Sequence, residues 1–265
     1  MLGLPLVRLD CPNLAVPTRV WCQDGRVYEE LPYVGGIRLS QAVVPRHGRL
    51  GGKLLEDFCW QMGGLIHEIH EAGVIHRDIH PDNIYLVARR ADDEDSRPAR
   101  SHRHEDSWVS HSREVFRLRF VIVDHTFAIL AKDGARAAPV VHGSYTPEEQ
   151  ALGLATPASD LYAFGATIYY AIEGREIPPF ARRRAEPSSL GPIPSGHHSS
   201  RQFERYLPEL LSLDPPKRAL RWLQPDTWQP TYSGALSLSR DQILITDSRL
   251  GPRIMDPVSY THLTL

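Results

Sequence analysis

Val74-Ile75-His76-Arg77-Asp78-Ile79-His80-Pro81-Asp82-Asn83 is the stretch that decides how this chain is read. An apolar pair leads into a run of ionisable residues. A carboxylate, Asp78, and a carboxamide, Asn83, then stand five positions apart around a proline-containing turn. Upstream, Leu54, Leu55, Phe58, Met62, Leu65, Ile66 and Ile69 recur at helical spacing, and Gly73 stops that helix. Downstream, the apolar runs Ile84 to Val87 and Phe116 to Val123 read as strands. The polar loop is thus expected between a helix and a strand.

Working outward, residues 14–36 read as two short strands joined at Asp24-Gly25, a strong hairpin signal. Asp160 to Glu173 reads as a second helix, with Leu161, Phe164, Ile168 and Ala171 on one face and Gly174 at its end. Arg182 to Ser200, rich in Arg, Pro, Ser and Gly, reads as a long loop. Phe203 to Leu223 is expected to be helical, broken at Asp214-Pro215-Pro216. Beyond Gln224 come short β-like pieces, Ala235 to Leu238 and Gln242 to Thr246. Arg89 to Arg113 is charged and poor in apolar residues, so residues 88–115 are expected to form a disordered insertion. Its His102, His104 and His111 read as part of a flexible charged loop rather than as metal ligands.

A net charge of −2 argues against nucleic acid or an anionic membrane as an obligatory partner. No apolar run approaches the ~20 residues that span a bilayer. The apolar start carries no basic n-region, which argues against a signal peptide. Cys11, Cys22 and Cys59 fit no zinc spacing and read as reduced, packed thiols of a cytoplasmic protein.

The 74–83 stretch resembles the protein-kinase catalytic loop, H-R-D-x-x-x-x-N, with every fixed position present. Further matches follow in order. Asp124, after the strand Val121-Ile122-Val123, stands where that family has D-F-G, with His125 and Thr126 replacing Phe and Gly. Tyr145-Thr146-Pro147-Glu148-Glu149-Gln150 resembles the A-P-E region, Glu148 replacing its proline. Ser159-Asp160-Leu161-Tyr162 resembles the start of the family's central helix, with its buried aspartate. Asp214-Pro215-Pro216-Lys217-Arg218 resembles the stretch whose arginine pairs with the A-P-E glutamate. Upstream, Asp10-Cys11-Pro12-Asn13-Leu14 looks like the family's H-P-N turn, and Tyr28 to Gly36 like its hinge.

The resemblance implies an α+β, protein kinase-like fold: a mainly helical C-lobe with a remnant of the N-lobe β-sheet. It divides the chain into an N-lobe remnant and hinge (1–36), a C-lobe (37–224) and a tail of unassigned structure (225–255). Residues 256–265 resemble translated sequencing adapter and are set aside as an artefact. By the same resemblance Asp78 is the catalytic base, with His76 and Arg77 completing the catalytic motif. Asn83 and Asp124 bind Mg2+, Leu31, Pro32 and Val34 contact the adenine of ATP, and Glu149 and Arg218 form a buried ion pair near Asp160. Pro81 favours a Ser/Thr protein substrate over Tyr, with His80 in place of the usual lysine. The family's glycine-rich loop, strand lysine and helix glutamate precede the H-P-N turn. The nine residues ahead of Asp10 hold no Glu or Lys and a single Gly. The chain as it stands is therefore expected to transfer phosphate very weakly or not at all.

The rival readings are three. A pseudokinase would use the same fold as a binding or regulatory module. An aminoglycoside or choline kinase relative would explain His80, through H-x-D-x-H-x-x-N. A metallo-hydrolase would use His67, His70, His76 and His80, but the H-E-x-x-H spacing is absent.

Overall fold

The computed structural model describes residues 9, 11–43, 50, 52–90, 116–186, 206–221, 243–247 and 251–255. Strands β1 (Arg19–Gln23) and β2 (Arg26–Glu30) pair antiparallel around Asp24-Gly25. Both turn residues have positive φ, 51° and 72°, which is why a D-G pair stands there. Strand β3 (Ile37–Arg38) leads into a single-turn helix α1 (Leu39–Ala42). Helix α2 (Gly52–Glu71) follows and ends at Gly73, before strand β4 (Val74–Ile75).

The loop after β4 closes with a 3-10 turn, Pro81–Asn83, which opens strand β5 (Ile84–Arg90). Strand β6 (Phe116–Ile122) returns antiparallel, and the sheet order is β3-β5-β6. Strand β7 (Ile129–Leu130) pairs with β4. Among the described residues the helices that follow are α3 (Glu148–Ala151), α4 (Pro157–Glu173), α5 (Phe180–Ala185) and α6 (Leu207–Leu210). Strands β8 (Ile243–Asp247) and β9 (Gly251–Met255) make a separate antiparallel pair within the tail left unassigned by sequence. The fold is mixed α+β. Among the described residues no helix is long and apolar enough to cross a membrane.

One apolar core joins α2, α4 and the β5–β6 sheet. Phe58 is its hub, with its ring edge-on to Phe120 at 4.9 Å and to Phe164 at 5.8 Å. All three rings are fully buried, each contributing roughly 1.5–3 kcal/mol. The turn before β1 is tied to this core through Asn13. Its Nδ2 donates to Gln61 Oε1 (3.0 Å) and to the Phe120 carbonyl (2.7 Å).

Four expectations need correction. Strand β5 runs through Ala88, Arg89 and Arg90, because their backbones pair with Leu118, Arg117 and Phe116; the rest of the expected insertion, 91–115, lies outside the described residues. Arg182 to Ala185 belong to α5 rather than a loop, since the buried Arg183 donates to the Leu211 carbonyl and the Tyr162 hydroxyl. Within 206–221 only α6 and the 3-10 turn Pro215–Lys217 are helical; Pro208 is tolerated in the first turn of α6, and Pro215-Pro216 cannot extend a helix from the residues before them. Cys22 is exposed, unlike the buried Cys59. The expected loop beyond residue 186, the piece 235–238 and residues 256–265 lie outside the described residues.

Gly165 lets α4 approach α6: a Cβ there would lie 2.7 Å from Leu210 Cβ. Gly64 in α2 faces no atom within 4 Å of such a Cβ. Alanine in a helix is worth about 1 kcal/mol over glycine, whereas overpacking a core costs ~1–3 kcal/mol. Gly165→Ala should therefore lower the urea midpoint, and Gly64→Ala should hold or raise it. Equal shifts for the two would contradict the packing described.

Candidate active site

Asp160 organises the site. It sits in the first turn of α4, whose start is set by Pro157 at the first helical turn and a Thr156–Ser159 capping box. Its side chain is only 1% exposed. Oδ2 accepts the His76 backbone N–H (2.8 Å) and lies 2.9 Å from His70 Nε2, while Oδ1 accepts the Arg77 N–H (2.8 Å). The carboxylate thus grips two consecutive amides of the 76–83 loop. Arg77 is held at φ +68°, a conformation costly for a side chain with a Cβ.

Asp78 follows, its side chain 7% exposed. Its Oδ2 accepts Asn83 Nδ2 at 2.8 Å, and the same amide donates to the Asp78 carbonyl at 3.1 Å. Asn83 Oδ1 is not used in these contacts. His80 Nε2 lies 3.5 Å from Asp78 Oδ2, and His142 Nδ1 lies 3.7 Å from Oδ1. The two rings stack, centroids 3.7 Å apart. Burial pushes the Asp78 carboxyl up, but the neighbouring imidazoles, His80 foremost, outweigh it and hold it below the usual carboxylate range. Asp78 is therefore ionised at neutral pH. His76 is wholly buried; its Nδ1 receives the Asp78 N–H at 3.3 Å, and burial lowers its own pKa, keeping it neutral.

Arg77 points away from this carboxylate. Its Nε donates to the Phe127 carbonyl (2.7 Å) and its Nη1 to that of Ala138 (2.8 Å). Gln150 Nε2 donates to the Arg77 carbonyl (2.8 Å) and the Val140 carbonyl (3.1 Å). Asp124 is exposed, at φ +59°, and its Oδ1 accepts the Thr126 N–H at 3.1 Å. The β6 end carrying it is tied to the loop where Val123 N–H donates to the Asn83 carbonyl (2.9 Å). His125 is buried, its Nε2 3.7 Å from Glu29 Oε2, and burial lowers its pKa.

Arg218 Nη1 lies 2.5 Å from Glu149 Oε1, and the guanidinium also donates to the Ser212 and Ala158 carbonyls. Glu149 also accepts from Ser159 Oγ, next to Asp160. Asp160 itself pairs with His70 and the loop amides rather than with Arg218. Leu31 and Pro32 are exposed and Val34 is half-buried in the strand connection after β2. Of the histidines weighed as metal ligands, only His80 belongs to a group with metal-ligating spacing among the described residues; His67 is exposed and His76 wholly buried. Spacing did not single out His142, which comes from a distant loop. Gln150 was visible only as the last letter of a quoted motif.

The chain is similar to serine/threonine-protein kinases. It is 30% identical over 146 residues to serine/threonine-protein kinase C of Synechocystis sp., covering 54% of this chain and 23% of that protein. It is 29% identical over 160 residues to PknA of Mycobacterium tuberculosis, covering 60% of this chain and 31% of the relative. Against PknA of Nostoc sp. the values are 26% over 137 residues, 51% and 21%. The chain therefore spans less than a third of the length of these relatives. No protein-family model matches it.

Asp160→Asn removes the charge and turns an N–H toward a donor. Hydrogen bonds to a charged group are worth about 1.5–3 kcal/mol, so unfolding free energy should fall by roughly 2–3 kcal/mol in urea denaturation. A loss under about 0.5 kcal/mol would mean the loop is held by other groups.

Proposed function

We propose that this chain is a protein kinase-like domain that transfers the γ-phosphoryl group of Mg-ATP to a serine or threonine hydroxyl of a protein. The observation that carries the reading is the buried, ionised Asp78, oriented by Asn83 on a loop whose backbone is gripped by Asp160. In this reading the substrate oxygen bonds to the γ-phosphorus as the bond to the β–γ bridging oxygen breaks. ADP leaves with that electron pair, and Asp78 receives the hydroxyl proton. Asp78 needs no large pKa shift for this role, since its main service is to hold the hydroxyl in line.

Asn83 and Asp124 fit a hard cation. Asn83 spends its amide N–H on Asp78, which leaves its carbonyl oxygen as the donor, and Asp124 is an exposed carboxylate. A bound Mg2+ would neutralise charge on the phosphates. Leu31, Pro32 and Val34 would present backbone groups to adenine. In the same reading the chain is a kinase C-lobe preceded by a remnant of the N-lobe.

A second reading, a pseudokinase that binds without transfer, is favoured by His125-Thr126 in place of Phe-Gly. Nucleotide binding and transfer of labelled phosphate from ATP to casein separate the two. Asp78→Asn should cut transfer by about 10²–10⁴-fold, the range for losing a general base, while nucleotide binding persists. Because the chain as it stands is expected to transfer little, binding without transfer selects the pseudokinase only in a chain extended through a glycine-rich loop and strand lysine. No nucleotide binding removes both readings.

The site also bears on regulation. An arginine at this loop position often serves a phosphate, but here both described contacts of its guanidinium are backbone carbonyls. No Ser, Thr or Tyr lies between Phe127 and His142. Phosphatase treatment should leave the transfer rate unchanged. Mass spectrometry finding an activating phosphate on Thr126, Ser144, Tyr145 or Thr146 would overturn this.

A further inference from the structure

Asp78, His80 and His142 each hold one donor atom near a common point, these atoms all lying within 4.8 Å of one another. Among the described residues this is the one group with metal-ligating spacing. His80 reaches the point from the 76–83 loop, where it is buried; His142 reaches it from the segment before Gly143–Tyr145, with its side chain 45% exposed. The distances to Asp78, 3.5 and 3.7 Å, are at or beyond the limit of a hydrogen bond, whose N···O mode is about 2.9–3.0 Å. His80 approaches Oδ2 and His142 the other oxygen, Oδ1, and each distance comes near the spacing of two ligands on one tetrahedral zinc. Donors roughly 2.0–2.1 Å from such an ion sit about 3.3–3.4 Å apart.

We propose that Asp78, His80 and His142 form a site for Zn2+, distinct from the Asn83–Asp124 pair assigned to Mg2+. Two imidazole nitrogens and one carboxylate oxygen suit zinc, whereas magnesium favours all-oxygen ligation. Three protein ligands leave a fourth position for water or a phosphate oxygen. The stacked rings are inclined by only 21°, so their in-plane lone pairs run side by side. Binding therefore requires one ring to turn, and His142, much the more exposed of the two, is the ring that does so. Its backbone stays fixed meanwhile, because its N–H donates to Thr146 Oγ1 at 2.6 Å.

Occupancy would take a carboxylate oxygen of Asp78 out of reach of a substrate hydroxyl. Zinc is then an inhibitor competitive with the protein substrate. This consequence rests on the phosphotransfer reading; the binding site itself does not.

The test is a Zn2+ titration by calorimetry in excess Mg2+, on the unaltered chain, His142→Ala and His67→Ala. His67 is an exposed histidine outside the cluster. The expected result is one zinc site that weakens at least tenfold in His142→Ala and not in His67→Ala. Far-ultraviolet circular dichroism checks that each variant is folded, and because His142 is exposed its loss should leave the fold intact. Cobalt(II) added in place of zinc should give a visible tetrahedral band, lost in His142→Ala. An affinity unchanged by His142→Ala, or no zinc binding at all, overturns the site. Zinc binding that depends on His142 but leaves casein phosphorylation untouched overturns the inhibitory role alone. If the chain transfers no phosphate, the titration still decides the site.

Discussion

The two amide bonds accepted by Asp160 are the constraint from which the rest of the site follows. A carboxylate buried this deeply costs several kcal/mol unless its oxygens are satisfied. Here the His76 and Arg77 N–H groups and the His70 ring satisfy them, and the first turn of a 17-residue helix adds the favourable end of the helix dipole. The exchange works in both directions. The amides make the charge tolerable, and the charge stabilises a loop that puts Arg77 at positive φ. That backbone reversal sends the Arg77 side chain toward the 127–138 segment and Asp78 toward Asn83. The position of the proposed base is thus set by the core through α4.

The constraint spreads outward through groups that are themselves buried. Gln150 bonds the Arg77 carbonyl, and the Arg77 guanidinium bonds two carbonyls of the facing segment, so that segment is fastened to one residue from two sides. Next to Gln150, Glu149 meets an Arg218 side chain that is fully buried. Removing one member of such a pair strands a charge, at a cost of about 3–5 kcal/mol. The neighbouring Glu148–Arg184 pair is exposed on both sides, and pairs of that kind contribute about 0–1 kcal/mol. Two adjacent glutamates therefore play unequal parts: Glu149 anchors the segment, and Glu148 decorates it.

Much of this was legible from the amino-acid order alone. The α2 and α4 stripes were read from their apolar period and the β1–β2 turn from Asp24-Gly25, while Asp78, Asn83 and Asp124 stood out through their resemblance to kinase motifs. What escaped depends on distant partners. Arg182-Arg183-Arg184 looks like a solvated run, yet Arg183 is inside because Tyr162 and the Leu211 carbonyl receive it. Arg89 and Arg90 look like part of a charged loop until the backbone of β6 supplies the ladder. In the stretch after Phe203 the break at Asp214-Pro215-Pro216 was legible, but not that only a single turn, α6, and a 3-10 turn are helical within 206–221. His142 carried no local signal, since its meaning comes from stacking on His80, a contact no spacing rule encodes.

The two sides of Asp78 differ in how firmly they are built. On the backbone side the closest contacts are short: the His76 and Arg77 amides to Asp160 at 2.8 Å and Asn83 Nδ2 to Asp78 Oδ2 at 2.8 Å. On the imidazole side the approaches are 3.5 and 3.7 Å, and His80 Nδ1 and both nitrogens of the nearby His125 have no hydrogen-bond partner among the described residues. An unsatisfied buried nitrogen costs about 1–3 kcal/mol, which a phenylalanine at 125 would not incur. Burial reduces the cost by keeping His125 neutral, and Glu29 stands close enough for a water to bridge. The carboxylate is therefore fixed from behind and loosely lined in front. In the proposed transfer, a base that must hold its aim yet admit a substrate hydroxyl needs that asymmetry, because rigid contacts on both faces would occupy the oxygen meant to receive the proton.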